Sequence, residues 1–470
     1  MHLDLSISEL ADLLAKKEIS SVDLVTEAFA QIEKTEELHD FISLRKKNDA
    51  LFDAKQADES RKKDSHKLHG LPFSLKDTYV TKGIRTTAAS KVLDTFIPPY
   101  NAAVYEKLIK MGAVLVGKNN QDAFGHGASN ENTDYKVPKN PWDQNRIAGG
   151  SSGGSAVSVA MRSVAFSIGE DTGGSIRNPS SMCNICGLKV TYGRVSRYGA
   201  IAYASSLDTV GPMAKSVADL AYILEAIAGK DSKDSTSSHQ PVEKYSEFLH
   251  KEIKGKIIGL PKEFFGEGID PEVKKIILSA KETFEKLGAK IVDVSIPYLK
   301  YGVSIYYLIA MSETSSNLAR YDGIRYGQSR DFFTPETMRR IMVGSYALSA
   351  GYADELYKNA QKARTVLIQE YEKVFEKCDA ILAPVAPGPA AKVGELINDP
   401  LRNLLEDLYT VTVNPVGVPS LALPAGFTPQ NLPVGMQLIG KKFHEGELFQ
   451  IGDAYQQVTE WHKRKPPILQ

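Results

Sequence analysis

The second half of the sequence contains a strand–helix–strand pattern, which narrows the fold class more than any other feature. KIIGLP (256–261) and KIVDVSIP (290–297) are short apolar runs typical of strands. Between them, Asp270 and Pro271 are a helix start signal and Gly288 is a stop signal. This helix has one apolar face, formed by Val273, Ile276, Ile277, Ala280, Phe284 and Leu287. Because a β-α-β unit joins parallel strands, the sequence predicts an α/β fold with a parallel or mixed sheet covered by helices.

Charge and composition restrict the partners and the location that we expect. The 470 residues include 57 Lys plus Arg and 57 Asp plus Glu, so no net positive field attracts nucleic acid. If the protein acts on nucleic acid, we expect a partner protein to hold it. The first residues, MHLDLSISELADLLAKKE, predict a helix rather than a signal peptide. No apolar run reaches the roughly 18 residues of a membrane span. We therefore expect a cytoplasmic protein, in which Cys183, Cys186 and Cys378 are buried structural residues.

The chain is expected to form one domain over residues 1–470. Residues 1–60 are predicted to be peripheral N-terminal helices, residues 61–228 the catalytic region, and residues 246–470 a second half with substrate-recognition residues. The polar stretch 229–245 is predicted to be either a linker or a surface crossing within the domain.

Two glycine–serine clusters, GGSSGGS (149–155) and DTGGS (171–175), stand out in the catalytic region. A phosphate-binding P-loop is not supported, because no Gly-Lys-Ser/Thr ends either cluster, and the Rossmann glycine spacing is also absent. A nucleophile elbow at Ser152 would have to follow a strand, whereas PWDQNRIAG precedes it. Close backbone packing alone explains one cluster. Two clusters together indicate a pair of hydroxyls and a set of backbone N–H donors.

A serine nucleophile needs a base that accepts its proton. None of the nine histidines lies within the clusters, and the nearest, His126, is predicted to be a structural residue. Lys76 lies in the apolar run GLPFSLKDTYV, where a lysine is either exposed at a sheet edge or functional. Burial would lower the pKa of its amine and leave it neutral, as a base requires.

Three longer motifs carry a family resemblance. GLPFSLKD, IAGGSSGGS and DTGGSIRNPSSMCNICGLKVTYGRVSRYG, at these separations, resemble the amidase signature family. The resemblance implies a large mixed central sheet with helices on both faces, no metal, and a Ser-Ser-Lys triad formed by Ser175, Ser151 and Lys76. It also implies a cis peptide between Gly150 and Ser151. The implied oxyanion hole consists of the backbone N–H groups of Thr172, Gly173, Gly174 and Ser175.

Within that family the sequence is similar to the A subunits of the heterotrimeric glutamyl-tRNA(Gln)/aspartyl-tRNA(Asn) amidotransferases. The similarity is carried by SIYYLIAMSETSSNLARYDGIRYG, TMRRIMVGSYALSAGY and DLYTVTVNPVGVPSLALPAG. It implies hydrolysis of glutamine to glutamate and ammonia, with Arg340 on the substrate carboxylate, Asp407 on the ammonium and Tyr306 as a pocket wall. The implied partners are a B and a C subunit. The B subunit would hold most of the tRNA and use ATP and magnesium to amidate Glu-tRNA(Gln), Asp-tRNA(Asn) or both, while this chain would need no cofactor.

The sequence departs from that group in NNQDAFGHGASNEN, where Ala123 and His126 replace a glutamate and a methionine. These departures affect the glutamine pocket and the ammonia path rather than the triad. Two alternatives remain at the level of sequence. One is a free-standing amidase that hydrolyses small carboxamides, and the other is an inactive binding module, which the presence of all three triad residues disfavours.

Overall fold

One mixed β-sheet organises the chain. The structure, a computed structural model, describes residues 1–266, 268–324, 327–397 and 399–469. Its strands are β1 (Phe41–Leu44), β2 (Pro72–Lys76), β3 (Val114–Asn119), β4 (Phe166–Asp171), β5 (Cys186–Lys189), β6 (Thr209–Ala214), β7 (Ile257–Pro261), β8 (Lys290–Val294), β9 (Ala380–Pro384), β10 (Ser420–Phe427) and β11 (Pro433–Gly440). They form an 11-stranded sheet in the order β1-β3-β2-β4-β6-β5-β10-β11-β9-β7-β8.

The sheet combines parallel and antiparallel pairs. β2 is parallel to both β3 and β4, and β7 is parallel to both β8 and β9. The remaining neighbours are antiparallel. The α/β class with a large mixed sheet, predicted from the sequence, is therefore confirmed.

Helices surround the sheet. They are α1 (Ile7–Ala15), α2 (Ser21–Lys34), α3 (Lys47–Ser60), α4 (Ala103–Lys110), α5 (Gly153–Ala160), α6 (Arg177–Met182), α7 (Val217–Ile227), α8 (Pro271–Lys286), α9 (Gly302–Leu318), α10 (Pro335–Ala347), α11 (Asn359–Phe375), α12 (Pro400–Leu405), α13 (Val413–Val416) and α14 (Glu445–Val458). As the sequence predicts, Asp270 caps α8, Pro271 occupies its first turn, and α8 connects the parallel strands β7 and β8.

Two hydrophobic cores lie on opposite faces of the sheet at β9. Along β9, Ala380 and Leu382 belong to one core, while Ile381 and Ala383 belong to the other. Side chains of a strand alternate between the two faces, so both faces of β9 are covered. The first core includes the apolar faces of α8 and α14, and the second includes those of α9 and α11.

The polar segment 229–245 crosses the surface between two parts of this sheet. Asp231 and Asp234 accept hydrogen bonds from Ser196 Oγ and from the Arg197 backbone N–H, at 2.7 and 2.8 Å. β5 precedes this segment in the chain and β10 follows it, yet the two strands pair directly. The segment therefore joins strands of one sheet.

The parallel pair β2 and β4 positions Lys76 and the second glycine–serine cluster. Leu75 pairs with Ile168, so both strands run towards the same edge of the sheet. β2 ends at Lys76 and β4 ends at Asp171, immediately before the Thr-Gly-Gly-Ser loop. Chain segments almost 100 residues apart thus meet where these strands end. Within the described ranges, no helix is both long enough and apolar enough to cross a bilayer.

Candidate active site

Lys76 and Ser151 form the innermost part of the site. Lys76 is fully buried, and its Nζ lies 2.7 Å from Ser151 Oγ. The same nitrogen lies 3.4 Å from the carbonyl oxygen of Glu170 and 3.9 Å from its Oε2. The amine is therefore within hydrogen-bond distance of the hydroxyl whose proton it would accept.

The electrostatic environment favours the neutral amine. Burial lowers the pKa of Lys76, and the carboxylate of Glu170 opposes this shift. Burial also raises the pKa of Glu170 to about 8, with the nearby charge of Asp208 acting in the same direction. Because both shifts have burial as their main cause, the low-dielectric surroundings favour the pair of uncharged groups over an ion pair.

Ser175 lies on the loop beside Ser151 and is the most exposed of the three triad residues. Its relative exposure is 8%, compared with 1% for Ser151, so Ser175 is the hydroxyl that a substrate reaches first. The Ser152 N–H donates to the Ser175 carbonyl at 3.1 Å, which holds the two loops together. Among the described residues, no hydrogen bond joins Ser151 Oγ directly to Ser175 Oγ. The peptide between Gly150 and Ser151 is cis, as the resemblance implies.

Ser152 is the nucleophile that the elbow alternative would require. Its Oγ lies 3.1 Å from the Glu170 carbonyl and accepts the Glu170 N–H at 3.3 Å. This hydroxyl is fully buried and satisfied by the backbone of β4, which gives it a structural role.

A buried ion pair shapes the Thr-Gly-Gly-Ser loop. The Asp171 carboxylate accepts the Gly174 N–H at 2.9 Å, the Ile176 N–H at 3.1 Å, and two guanidinium N–H groups of Arg177 at 3.0 and 3.1 Å. Burial alone would raise the pKa of Asp171, but the charge and hydrogen bonds of Arg177 hold it at about 2. The ionised carboxylate therefore fixes the backbone immediately before the nucleophile.

This arrangement alters the predicted oxyanion hole. The Gly174 N–H, one of the four predicted donors, is occupied by Asp171. In the part of the chain that the structure describes, the N–H groups of Thr172, Gly173 and Ser175 donate to no other residue. Those three groups are the donors left for an oxyanion, while Gly174 shapes the loop.

The predicted substrate-binding residues are buried together. Arg340, on α10, is 3% exposed, and its Nη1 donates to the Tyr203 hydroxyl at 2.5 Å. Asp407 is 8% exposed and accepts a hydrogen bond from the Tyr307 hydroxyl at 2.9 Å. The Arg340 guanidinium carbon also lies 5.5 Å from the centre of the Tyr307 ring. Burial raises the pKa of Asp407 to about 7, so a cationic group bound beside it would favour its ionised form.

Tyr306 connects this cluster to the nucleophile loop. A Cβ atom added to Gly173 would lie 2.4 Å from Tyr306 Cζ, so the phenol ring rests directly on the bare backbone of the loop. The Tyr306 hydroxyl is 3.4 Å from the Tyr203 hydroxyl, which contacts Arg340. A continuous set of contacts therefore runs from the catalytic loop to the two buried charges. Within the described ranges, no group of three or more His, Cys, Asp or Glu side chains is arranged to hold a metal ion.

Comparison with known proteins agrees with this geometry. The sequence model of the amidase family matches residues 23–449. The chain belongs to the amidase family. The match includes all of the proposed triad and the substrate cluster, so the predicted family resemblance is confirmed.

Three similar proteins carry the same name. The A subunit of glutamyl-tRNA(Gln) amidotransferase from Listeria welshimeri serovar 6b is 49% identical, and the alignment covers 99% of both chains. The protein of the same name from Geobacillus sp. (strain WCH70) is 48% identical over 99% of both chains. The crystal structure of the same protein from Thermotoga maritima superposes with a TM-score of 0.85 at 36% identity, covering 99% of this chain and 98% of that one. These names favour the predicted glutamine-dependent function over the free-standing amidase.

Sequence reasoning missed several residues of this amidase-family site. Tyr203 and Tyr307 hold Arg340 and Asp407, and Glu170 and Asp171 set the electrostatics around the triad. Their positions in the sequence offered partial signals, because Glu170 directly precedes the second glycine–serine cluster, Asp171 begins it, and Tyr307 follows Tyr306. No sequence signal indicated Tyr203, whose role depends on contacts with distant helices.

Proposed function

We propose that this chain is the glutaminase component of a tRNA-dependent amidotransferase, releasing ammonia from glutamine for amide synthesis on misacylated tRNA. One observation carries the proposal: a buried arginine and a buried aspartate lie in the cluster that Tyr306 joins to the nucleophile loop. Glutamine presents an α-carboxylate and an α-ammonium, which require binding groups of opposite charge. Apolar amides have no charged groups that a buried arginine and a buried aspartate would bind.

In the proposed reaction, Ser175 Oγ attacks the carboxamide carbon of glutamine. Its proton passes through Ser151 to the neutral amine of Lys76, and the carbonyl oxygen becomes an oxyanion stabilised by N–H groups of the loop. Collapse of this intermediate breaks the C–N bond, and the leaving nitrogen receives the proton from Lys76 along the same path. A water molecule then hydrolyses the glutamyl ester and regenerates Ser175.

Recognition of the substrate follows from the hydrogen bonds that Arg340 already makes. Its Nε donates to Glu336 and its Nη1 to Tyr203, at 2.7 and 2.5 Å. Among the described residues, Nη2 has no hydrogen-bond acceptor. It would bind a carboxylate oxygen, and Asp407 would bind the ammonium group.

The ammonia would pass to a B subunit, which would use ATP and magnesium to convert Glu-tRNA(Gln), Asp-tRNA(Asn) or both to the amidated forms. A C subunit would complete the heterotrimer, and the B subunit would provide most of the tRNA contacts. The equal numbers of acidic and basic residues in this chain support the assignment of most tRNA contacts to the B subunit. The reaction fits the cytoplasm, where aminoacyl-tRNA is made and consumed.

The proposal is tested with the full-length chain, purified from its native cells together with any partner proteins that copurify. Glutamine and butyramide, which has the glutamine side chain without either charged end, are compared as ammonia donors. We expect glutamine to be strongly preferred and to support amidation of misacylated tRNA when ATP and magnesium are present. Equal turnover of both amides, with no amidation of tRNA, would refute the proposal.

A further inference from the structure

His126 links the two helices that carry the substrate cluster. The side chain is fully buried, its Nδ1 lies 3.1 Å from Thr337 Oγ1, and its Nε2 lies 3.4 Å from Thr314 Oγ1. Thr314 belongs to α9, which also carries Tyr306, and Thr337 belongs to α10, which also carries Arg340. One imidazole therefore contacts both helices at the level of the pocket.

The same imidazole ring supports Tyr203. The two ring centres are 4.6 Å apart, at an interplanar angle of 76°, so the rings meet edge to face. The hydroxyl of Tyr203 is the group that accepts the Arg340 hydrogen bond, at 2.5 Å. His126 therefore packs against the aromatic residue that orients the guanidinium.

The position of His126 also connects the pocket to the catalytic serine. A Cβ atom added to Gly125 would lie 3.7 Å from Ser151 Oγ and 3.5 Å from Tyr203 Cδ1. The loop that carries His126 thus passes between the catalytic and the substrate-binding residues.

The imidazole is suited to this position because it is uncharged. Burial lowers the pKa of His126 well below its ordinary range, and the positive charges of Arg340 and Arg339 act in the same direction. A neutral imidazole has one N–H and one acceptor nitrogen, and threonine hydroxyls can serve as partners for both. The ring thus adds no positive charge that would compete with Arg340 for a carboxylate.

We propose that His126 is a positioning residue for the substrate α-carboxylate. It holds Tyr203, and through Tyr203 the Arg340 guanidinium, in the orientation that binds glutamine. This inference rests on the proposed function and assigns a role to a residue that departs from the methionine of the group that the sequence resembles.

The test separates the ring contact from the hydrogen bonds. H126F keeps an aromatic ring beside Tyr203 without the two imidazole nitrogens. T337V removes one hydrogen-bond partner of His126 and also the acceptor of the Thr334 hydroxyl, at 3.0 Å, and the double variant combines both changes. Exposed Thr365 on α11, whose Oγ1 donates to the Gln361 carbonyl at 3.3 Å, provides the matched control T365V. KM and kcat for glutamine, and kcat/KM for butyramide, are measured for the full-length chain with its copurifying partners.

We expect T337V to raise KM for glutamine about threefold to tenfold, the range of one lost neutral hydrogen bond. H126F loses the contacts with both Thr337 and Thr314, so it should raise KM at least as much. The double variant should be about as impaired as H126F, because both substitutions remove the His126–Thr337 contact. In each of these variants kcat should change by less than about twofold, the same margin that the control T365V should show. Turnover of butyramide should be unaffected.

An unchanged KM for glutamine in both single variants would overturn the inference. Equal decreases in kcat/KM for glutamine and for butyramide would also overturn it, because they would mean that His126 only supports the fold. If H126F does not fold, the inference is judged on T337V alone, because that substitution only replaces a hydroxyl with a methyl group. Wild-type protein is measured first, and if it turns over no glutamine, the proposed function fails and this inference fails with it.

Discussion

Replacing Lys76 tests the chemical core of the proposed mechanism. The amine is fully buried and lies 2.7 Å from Ser151 Oγ, and burial lowers its pKa. At about pH 7.5 a lysine with the ordinary pKa of about 10.4 would be neutral in roughly one molecule in 800. A pKa below the assay pH therefore increases the reactive fraction by up to about 10³-fold.

The Lys76→Arg variant retains a positive charge that cannot be removed at any assay pH. We expect kcat/KM for glutamine to fall by roughly 10² to 10⁴, the usual contribution of a general base. In the wild type, kcat/KM should rise with pH and level off well below the ordinary lysine pKa. Initial rates of glutamate release between about pH 6 and 10 would measure both effects.

Glu170→Gln is the matched control, because it keeps the shape of the side chain and removes the charge that Glu170 carries above its pKa of about 8. Above its pKa of about 8, Glu170 is ionised and its carboxylate raises the Lys76 pKa, so the substitution should lower the Lys76 pKa in that range and move the rising limb of the kcat/KM profile to lower pH. The fraction of the variant with a neutral Lys76 amine at neutral pH should not be lower than in the wild type. Activity of Lys76→Arg within about tenfold of wild type would exclude lysine as the base. A profile that still rises near the ordinary lysine pKa would show that the amine is not held neutral.

Three further predictions concern the nucleophile, the pocket and the stability of the loop. Ser175→Ala should abolish glutamine hydrolysis and Ser151→Ala should leave a trace, and a serine-reactive amide analogue found by mass spectrometry on any residue other than Ser175 would contradict the assignment. Arg340→Ala should lower kcat/KM for glutamine tenfold to a hundredfold, since a hydrogen bond to a charged group contributes ~1.5 to 3 kcal/mol, while equal losses on butyramide would assign Arg340 to the fold. Asp171→Asn should lower the free energy of unfolding by ~3 to 5 kcal/mol in denaturant titrations near pH 7, because it leaves buried Arg177 without its ionised partner. The low pKa of Asp171, about 2, means that this stabilisation is present above about pH 4 and is lost as pH falls towards 2. A difference in the free energy of unfolding between variant and wild type that stays unchanged at low pH would show that the charge of Asp171 is not its cause.

The α/β class and the β7-α8-β8 unit could be predicted from the sequence pattern, whereas the triad of Ser175, Ser151 and Lys76 was implied by the family resemblance. The helix signals around α8 act over a few residues, because capping and apolar periodicity are local properties of the chain. The glycine–serine clusters were equally informative, since the glycines and the serines of each cluster are close neighbours in the chain. The resemblance added Arg340, Asp407 and Tyr306, which no local pattern indicated.

The sequence by itself thus determined which chemical groups are present, and only the tertiary structure decided their states and partners. Sequence left Lys76 either exposed at an edge or functional, and the packing of β2 between β3 and β4 buries it and lowers its pKa. The Gly174 N–H was an expected oxyanion donor, and the buried Asp171 carboxylate occupies it. Desolvation and hydrogen-bond competition depend on every atom within a few ångströms, and most of those atoms come from distant parts of the chain. No pattern of neighbouring residues can therefore specify them.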